Sequence, residues 1–248
     1  MRHLLVPLLC ATALSGCAMP GSRADLAGAN VATARSFCAG SASPECRFVD
    51  APVQLGSTPT RVDGRGQTFY ATSRKLTFVD GLNETWVAPA GTLTDGASIP
   101  KVFHGIVGNP TSPSFANAAA IHDAICGIGN EQGQVYHTRT WQSTHRMFYD
   151  ALRVGGTDEI TAKVMFAAVY LGGPRWGVNG YRSDPRIANV PDLEMETAMR
   201  QAKHYIESDN PSIPRIERYL DRKLDIMFGR LDGGRDDMDR GGPVYIAD

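Results

Sequence analysis

Residues 118–127 read AAAIHDAICG, a run of small apolar residues with His122 and Asp123 side by side inside it. Upstream, Ser112-Pro113 offers a cap and a proline at the first helical position; downstream, Gly127 offers a stop. The stretch therefore reads as the end of a helix. On it Phe115, Ala118, Ala119, His122 and Cys126 recur at spacings of three and four and share one face. His122 points inward, and Asp123 lies one step round, beside Ala119 and Ala120. The patterning on either side of this helix differs, and that difference decides the fold class.

Before it, from about 47 to 88, short extended runs are rich in Val, Thr, Phe, Tyr and Trp: RFVDAPVQL, QTFYATS, KLTFVD and ETWVAPA. DGRG and DGLN separate them as turns. After it the period becomes helical. RTWQSTHRMFYDALRV predicts a helix from near Thr138 to Gly155-Gly156, with Trp141, His145, Phe148 and Leu152 as its apolar stripe. A third helix starts at Thr157, carries Asp158 and Glu159 in its first turn, and ends at Gly172 to Pro174. Two more are expected around 191–207 and 214–228. The expected class is α+β, a small antiparallel sheet followed by a helical subdomain of about five helices. The expected segments are a signal peptide (1–16), a flexible tether (17–46), a domain with the sheet and the His-Asp helix pair (47–180), C-terminal helices (181–232) and a disordered Gly- and charge-rich tail (233–248).

A short loop between helices favours antiparallel packing, so the inward His122 and His145 are expected to converge beside a carboxylate. Three readings stay open. His122 acts as a general base on water, tuned by Asp123 or a nearby carboxylate. Alternatively His122, Asp123 and His145 hold a divalent cation, calcium or zinc, although no His-x-x-x-His spacing occurs within one helix. Or both are core histidines making one hydrogen bond each. A second stretch, WVAPAGTLTDGASIPKVF at 86–103, contains the turn dipeptide Asp95-Gly96 and a capping Ser98, with Thr94 and Asp95 able to face a ligand. GASIP is no nucleophile elbow, because Pro100 replaces the last glycine; GIGNEQG follows a helix and so is no dinucleotide loop.

The chain opens MRHLLVPLLCATALSGCAM. A basic start, an apolar run too short to span a bilayer and small residues at its end describe a secretory signal. Leu14-Ser15-Gly16-Cys17 resembles the lipobox of bacterial lipoproteins, which implies acylation of Cys17 and a membrane partner held through that lipid. Ala18 after it goes with outer-membrane sorting. Of five cysteines, Cys38 and Cys46 flank a Gly/Ser/Pro stretch and are expected to pair in an oxidising compartment, while Cys126 reads as a small buried hydrophobe. Formal net charge is −1; removing residues 1–16 takes away Arg2 alone and leaves 24 basic against 26 acidic residues. No basic run appears in the linear sequence, so no nucleic-acid partner is expected.

Taken together, Trp86, PAG at 89–91, TDGASIP at 94–100, IHD at 121–123, Arg139, Phe148, AL at 151–152, Gly155 and Trp176 resemble a bacterial and phage family known as a domain of unknown function, number thirteen fifty-three. The resemblance spans roughly 65 to 177 and implies no established activity. The chain departs from the family pattern at Lys101, His104, Ala124, Cys126 and His145, which places two further histidines, His104 and His145, near His122. His122-Asp123 also resembles the pair of secreted phospholipase A2, where the histidine activates water and the adjacent aspartate binds calcium. That resemblance carries over His122 and Asp123 alone; the expectation built on it is a hydrolase of lipid or another envelope ester, with His122 as base, Asp123 as calcium ligand or orienter, and Asp95 and His145 in support. The competing expectation is a non-catalytic envelope or phage-associated lipoprotein. In it Trp86, Thr94, Ser98, His104, Arg139 and Trp176 hold the sheet to the helices or face a ligand.

Overall fold

Two three-stranded antiparallel sheets, not one, stand ahead of the helices in the computed structural model. It describes residues 38, 46–62, 66–96, 99–107, 113–178 and 185–239, which belong to the unit Ser36–Asp248. The strands are β1 (Arg47–Val49), β2 (Leu55–Arg61), β3 (Thr68–Thr72), β4 (Leu76–Val79), β5 (Thr85–Ala88) and β6 (Leu93–Thr94). One sheet has the order β1-β4-β5 and the other β2-β3-β6. The β4–β5 hairpin follows from DGLN. Asp80 Oδ1 accepts from the amides of Leu82 and Glu84, each at 2.9 Å, and Asn83 takes the left-handed conformation at φ 60°. That turn sets Phe78 opposite Trp86, both buried. Pro59 is tolerated in β2 because β2 is an edge strand.

The helices are α1 (His104–Val107), after a 3-10 turn at Lys101–Phe103, then α2 (Pro113–Cys126), α3 (Trp141–Val154), α4 (Glu159–Gly172), α5 (Asp192–Asp209) and α6 (Ile213–Asp239). Two starts differ from expectation for the same reason: the capping residue stays outside the helix. Thr140 caps α3, accepting from the Ser143 amide at 3.2 Å, so α3 begins at Trp141 and not near Thr138. Asp158 caps α4, accepting from the Thr161 amide at 2.9 Å, so Asp158 precedes the first turn. α6 runs to Asp239, past 232, where the tail was expected to start.

α4 is the central helix. Residues 162–171 are all buried, and α3, α5 and α6 pack around it. Lys163 is buried among them because Glu159 and Asn210 take its ammonium. α2 is the seam of the molecule, packing on α3 on one side and on β4, β5 and β6 on the other. Gly127 ends it against its own turn: a Cβ there would stand 2.7 Å from Asp123, and the Gly127 amide donates to the Asp123 carbonyl at 2.7 Å. Cys38 and Cys46 are joined by a disulfide with Cα atoms 5.9 Å apart. The Cys38 amide donates to Asp150 Oδ1 of α3 at 3.0 Å. The signal segment, Cys17, most of the tether, Ser98, Ser112 and the end of the tail from 240 lie outside the described residues. No helix searched among the described residues is long and apolar enough to cross a membrane.

Candidate functional site

Because α2 and α3 pack against each other, His122 and His145 meet. His122 Nε2 and His145 Nδ1 are 3.0 Å apart, and both residues are 0% exposed. One imidazole donates to the other, which requires the accepting ring to be neutral. The surroundings are aromatic and apolar: Phe148 lies 4.8 Å from the His122 ring, and Trp141 and Trp176 lie 5.8 and 6.2 Å from that of His145. Cys126, one turn on from His122, places Sγ 3.5 Å from His122 Nε2 and donates to the His122 carbonyl at 3.4 Å. Burial lowers the His122 pKa to about 3. Burial also holds His145 well below the usual range, with His122 and Arg175 adding to the effect. Nε2 of His145 faces the Pro174 carbonyl at a geometry short of a hydrogen bond.

Asp123 takes a different course. It is buried, its Oδ1 lies 4.0 Å from His122 Nδ1, and among the described residues neither carboxylate oxygen closes a hydrogen bond. Burial raises its pKa well above the carboxylate range; the Thr94 hydroxyl draws it down and the Asp95 charge pushes it further up. Asp95 is half-buried, and burial raises its pKa too, against the lowering pull of Gln67, His104 and Lys101. Asp95 is thus a neighbour of Asp123, and no contact among the described residues joins it to His122. His104 is not a third histidine of the cluster: it is exposed, and its Nε2 pairs with the Ile99 carbonyl at 2.9 Å. Buried Thr94 hydrogen-bonds weakly within its own turn, to Gly96.

The expected metal set is not assembled. The two imidazoles bond each other where a cation would sit, and Asp123 is turned to the β6 side. Among the described residues no three of His, Cys, Asp and Glu are grouped to hold a metal.

The other signature residues form a clasp around the loop between α2 and α3. Trp86 Nε1 donates to Asp80 Oδ2 at 2.8 Å, and the Arg139 guanidinium lies 5.0 Å from the Trp86 ring while pairing with Glu84 at 2.8 Å. Trp176 Nε1 donates to the Arg139 carbonyl at 2.7 Å, and its ring stacks on His137 at 4.3 Å. Asn130, a residue the sequence reading passed over, completes the clasp. Its Oδ1 accepts from the Leu93 amide at 2.9 Å, and its Nδ2 donates to the carbonyls of Leu93 and Asp123, at 2.9 and 3.0 Å. That side chain binds β6 to α2. The signal in the sequence was an amide side chain in a glycine-rich turn, GIGN, where a side chain stands in for a strand partner. Beside it a cleft of about 420 Å³ is lined by Pro89, Thr92, Ala124, Asn130, Gln132 and Gln134, among others; among the described residues no titratable side chain lines it.

Residues 71–169 match the family described as "Protein of unknown function (DUF1353)". The match begins in β3 and ends in α4, so it contains the whole seam but leaves Trp176 outside it. Two uncharacterised proteins of Sinorhizobium fredii (strain NBRC 101917 / NGR234) are similar to the chain. "Uncharacterized protein y4iH" is 42% identical over 100 residues, 40% of this chain and 38% of the relative. "Uncharacterized protein y4jT" is 35% identical over 115 residues, 46% of this chain and 32% of the relative. The chain thus spans about a third of the length of these curated relatives. No solved structure matches it.

Proposed function

We propose that this chain is a non-catalytic, lipid-anchored protein of the bacterial envelope, in which the His-Asp stretch is architecture and not a reaction centre. One observation carries the reading: His122 and His145 are both fully buried and are hydrogen-bonded to each other. A general base must reach water or substrate within hydrogen-bond distance, and its pKa works best near the operating pH. An imidazole at about pKa 3, facing Phe148 and a second histidine, meets neither condition. The clasp of Trp86, Arg139, Trp176 and Asn130 supports the same view, since each of these side chains is engaged in joining one segment to another. The lipid anchor rests on the Leu14-Ser15-Gly16-Cys17 stretch and its apolar run.

A hydrolytic reading, by analogy with phospholipase A2, is favoured by one feature: the Asp123 carboxylate is buried with no donor among the described residues. A group of that kind marks either a ligand or a retained proton. The full burial of both His122 and His145 makes it the second reading.

The deciding experiment uses the full chain expressed in a Gram-negative host. Labelled palmitate is expected to enter the wild type and not Cys17→Ala. Ester and phospholipid hydrolysis by the purified protein is expected to match that of His122→Asn. Hydrolysis lost in His122→Asn, with the fold retained by circular dichroism, rejects the non-catalytic reading.

A further inference from the structure

The surface charge of α6 is segregated in a way the linear sequence hides. Arg215, Arg218 and Arg222 are exposed and lie on one stripe of the helix. Among the described residues none of the three guanidinium groups has an ion-pair or hydrogen-bond partner. The acids between them are engaged elsewhere. Glu217 is buried and accepts both arms of the Arg146 guanidinium, and Asp221 accepts from the Tyr170 hydroxyl at 3.0 Å. Asp225, exposed beside Arg222, offsets part of the charge. One turn beyond Arg222 the stripe ends on Ile226, a large apolar side chain 53% exposed.

The contacts that lead from the entry point of the chain reach the other side of α6, where Glu217 is buried. Cys38 is bonded to Asp150 of α3, and Asp150 stands one helical turn from Arg146, which grips α6 through Glu217. The segment from Cys17 to Cys38 reaches at most about 70 Å when extended, so length alone lets any face meet a membrane. Charge then selects the face.

We propose that the stripe of Arg215, Arg218 and Arg222, with Ile226, docks the folded unit on an anionic phospholipid surface. The proposal rests on the lipid-anchored reading given above. Guanidinium groups fork onto phosphate oxygens, and these three have no internal partner to give up. An exposed isoleucine beside them enters the boundary between headgroups and acyl chains. Anchoring at Cys17 raises the local concentration of the surface, so weak contacts suffice.

The test uses the full chain as Cys17→Ala, so that no acyl group holds it, floated with vesicles of phosphatidylcholine alone or mixed with phosphatidylglycerol. Binding to the anionic vesicles is expected to exceed binding to neutral ones by roughly ten- to a hundredfold and to fall at high salt. The triple variant Arg215→Glu, Arg218→Glu, Arg222→Glu is expected to lose that difference at unchanged Tm. A triple Gln variant, which adds no like charge next to Asp225, gives the same reading if the Glu variant fails to fold. The apolar leader is common to all variants and cancels. Equal binding to both vesicle types, an unchanged anionic preference in both triple variants, or stronger binding to an oligonucleotide than to vesicles overturns the proposal. Palmitate labelling reads the anchor separately, so the stripe and the anchor fail independently.

Discussion

His122 Nε2 and His145 Nδ1 share one hydrogen bond at 3.0 Å across the contact of α2 and α3, with no exposed surface on either residue. The pair pins the helix that faces both sheets to the helix that faces the core. Removing one ring leaves the other without its partner and opens a cavity. His145→Ala is therefore expected to lower stability by about 2–4 kcal/mol, read as a fall in the urea midpoint at pH 7.5. A change near zero shows that the bond does not hold the helices.

Acid is expected to weaken this contact. The folded pKa of His122 is lowered to about 3 and that of His145 is lowered as well, so both contribute stability that is present above the unfolded value near 6.5. That contribution declines as pH falls from about 6.5, by up to about 1.4 kcal/mol per pH unit for each ring. Asp123 has the opposite sign: its raised pKa gives a contribution present below its unfolded value and lost as pH rises through the folded one. Acidification thus removes the histidine term while adding the aspartate term. Asp123→Asn removes the compensation, and its stability is expected to fall more steeply between pH 6.5 and about 4.5 than that of the wild type. Parallel curves for the two proteins contradict this.

At neutral pH the same substitution is expected to help. An ionised Asp123 in its present place is a buried charge without a donor, and a protonated one sits above its natural pKa; either costs stability. Asp123→Asn is expected to raise the unfolding free energy by about 1 kcal/mol at pH 7.5. A loss of that size points instead to a cation or ligand held by the carboxylate.

Asn130→Ala removes three hydrogen bonds that join β6 to α2. The cost is expected at about 2–4 kcal/mol, because the Leu93 amide and two carbonyls lose a partner together. Hydrogen exchange at Leu93 and through residues 127–135 is expected to quicken more than in α4. Uniform exchange would show that the clasp is not local.

Reduction of Cys38–Cys46 releases a short loop, worth about 2–3 kcal/mol in the unfolded-chain entropy estimate. A dithiol is expected to lower Tm by several degrees in the wild type and by nothing in Cys46→Ser.

Much of the helical half was legible in the chain because its signals are local. Pro113 and Gly127 bound α2, and the spacing of His122 and Cys126 placed both on the inward face. The pairing of His122 with His145 followed from two stripes and one short connection. The division of six strands into two sheets was not legible. β1 reaches β4, and β3 reaches β6, across intervening strands, and strand periodicity carries no information on such partners. Asp123 was read from its neighbour in sequence, and its environment is set by Thr94 and Asp95, distant in sequence. The arginine stripe escaped notice because acids alternate with arginines along α6, and only the contacts of Glu217 and Asp221 separate the two signs.

The bond from Cys38 to Asp150 has a mechanical consequence. Tension applied from the N-terminal side of Cys38 divides between the disulfide, which passes it to Cys46 beside β1, and the hydrogen bond to Asp150, which passes it to α3. The load is thus divided between the start of the outermost strand and a helix of the core, and residues 39–45 are bypassed.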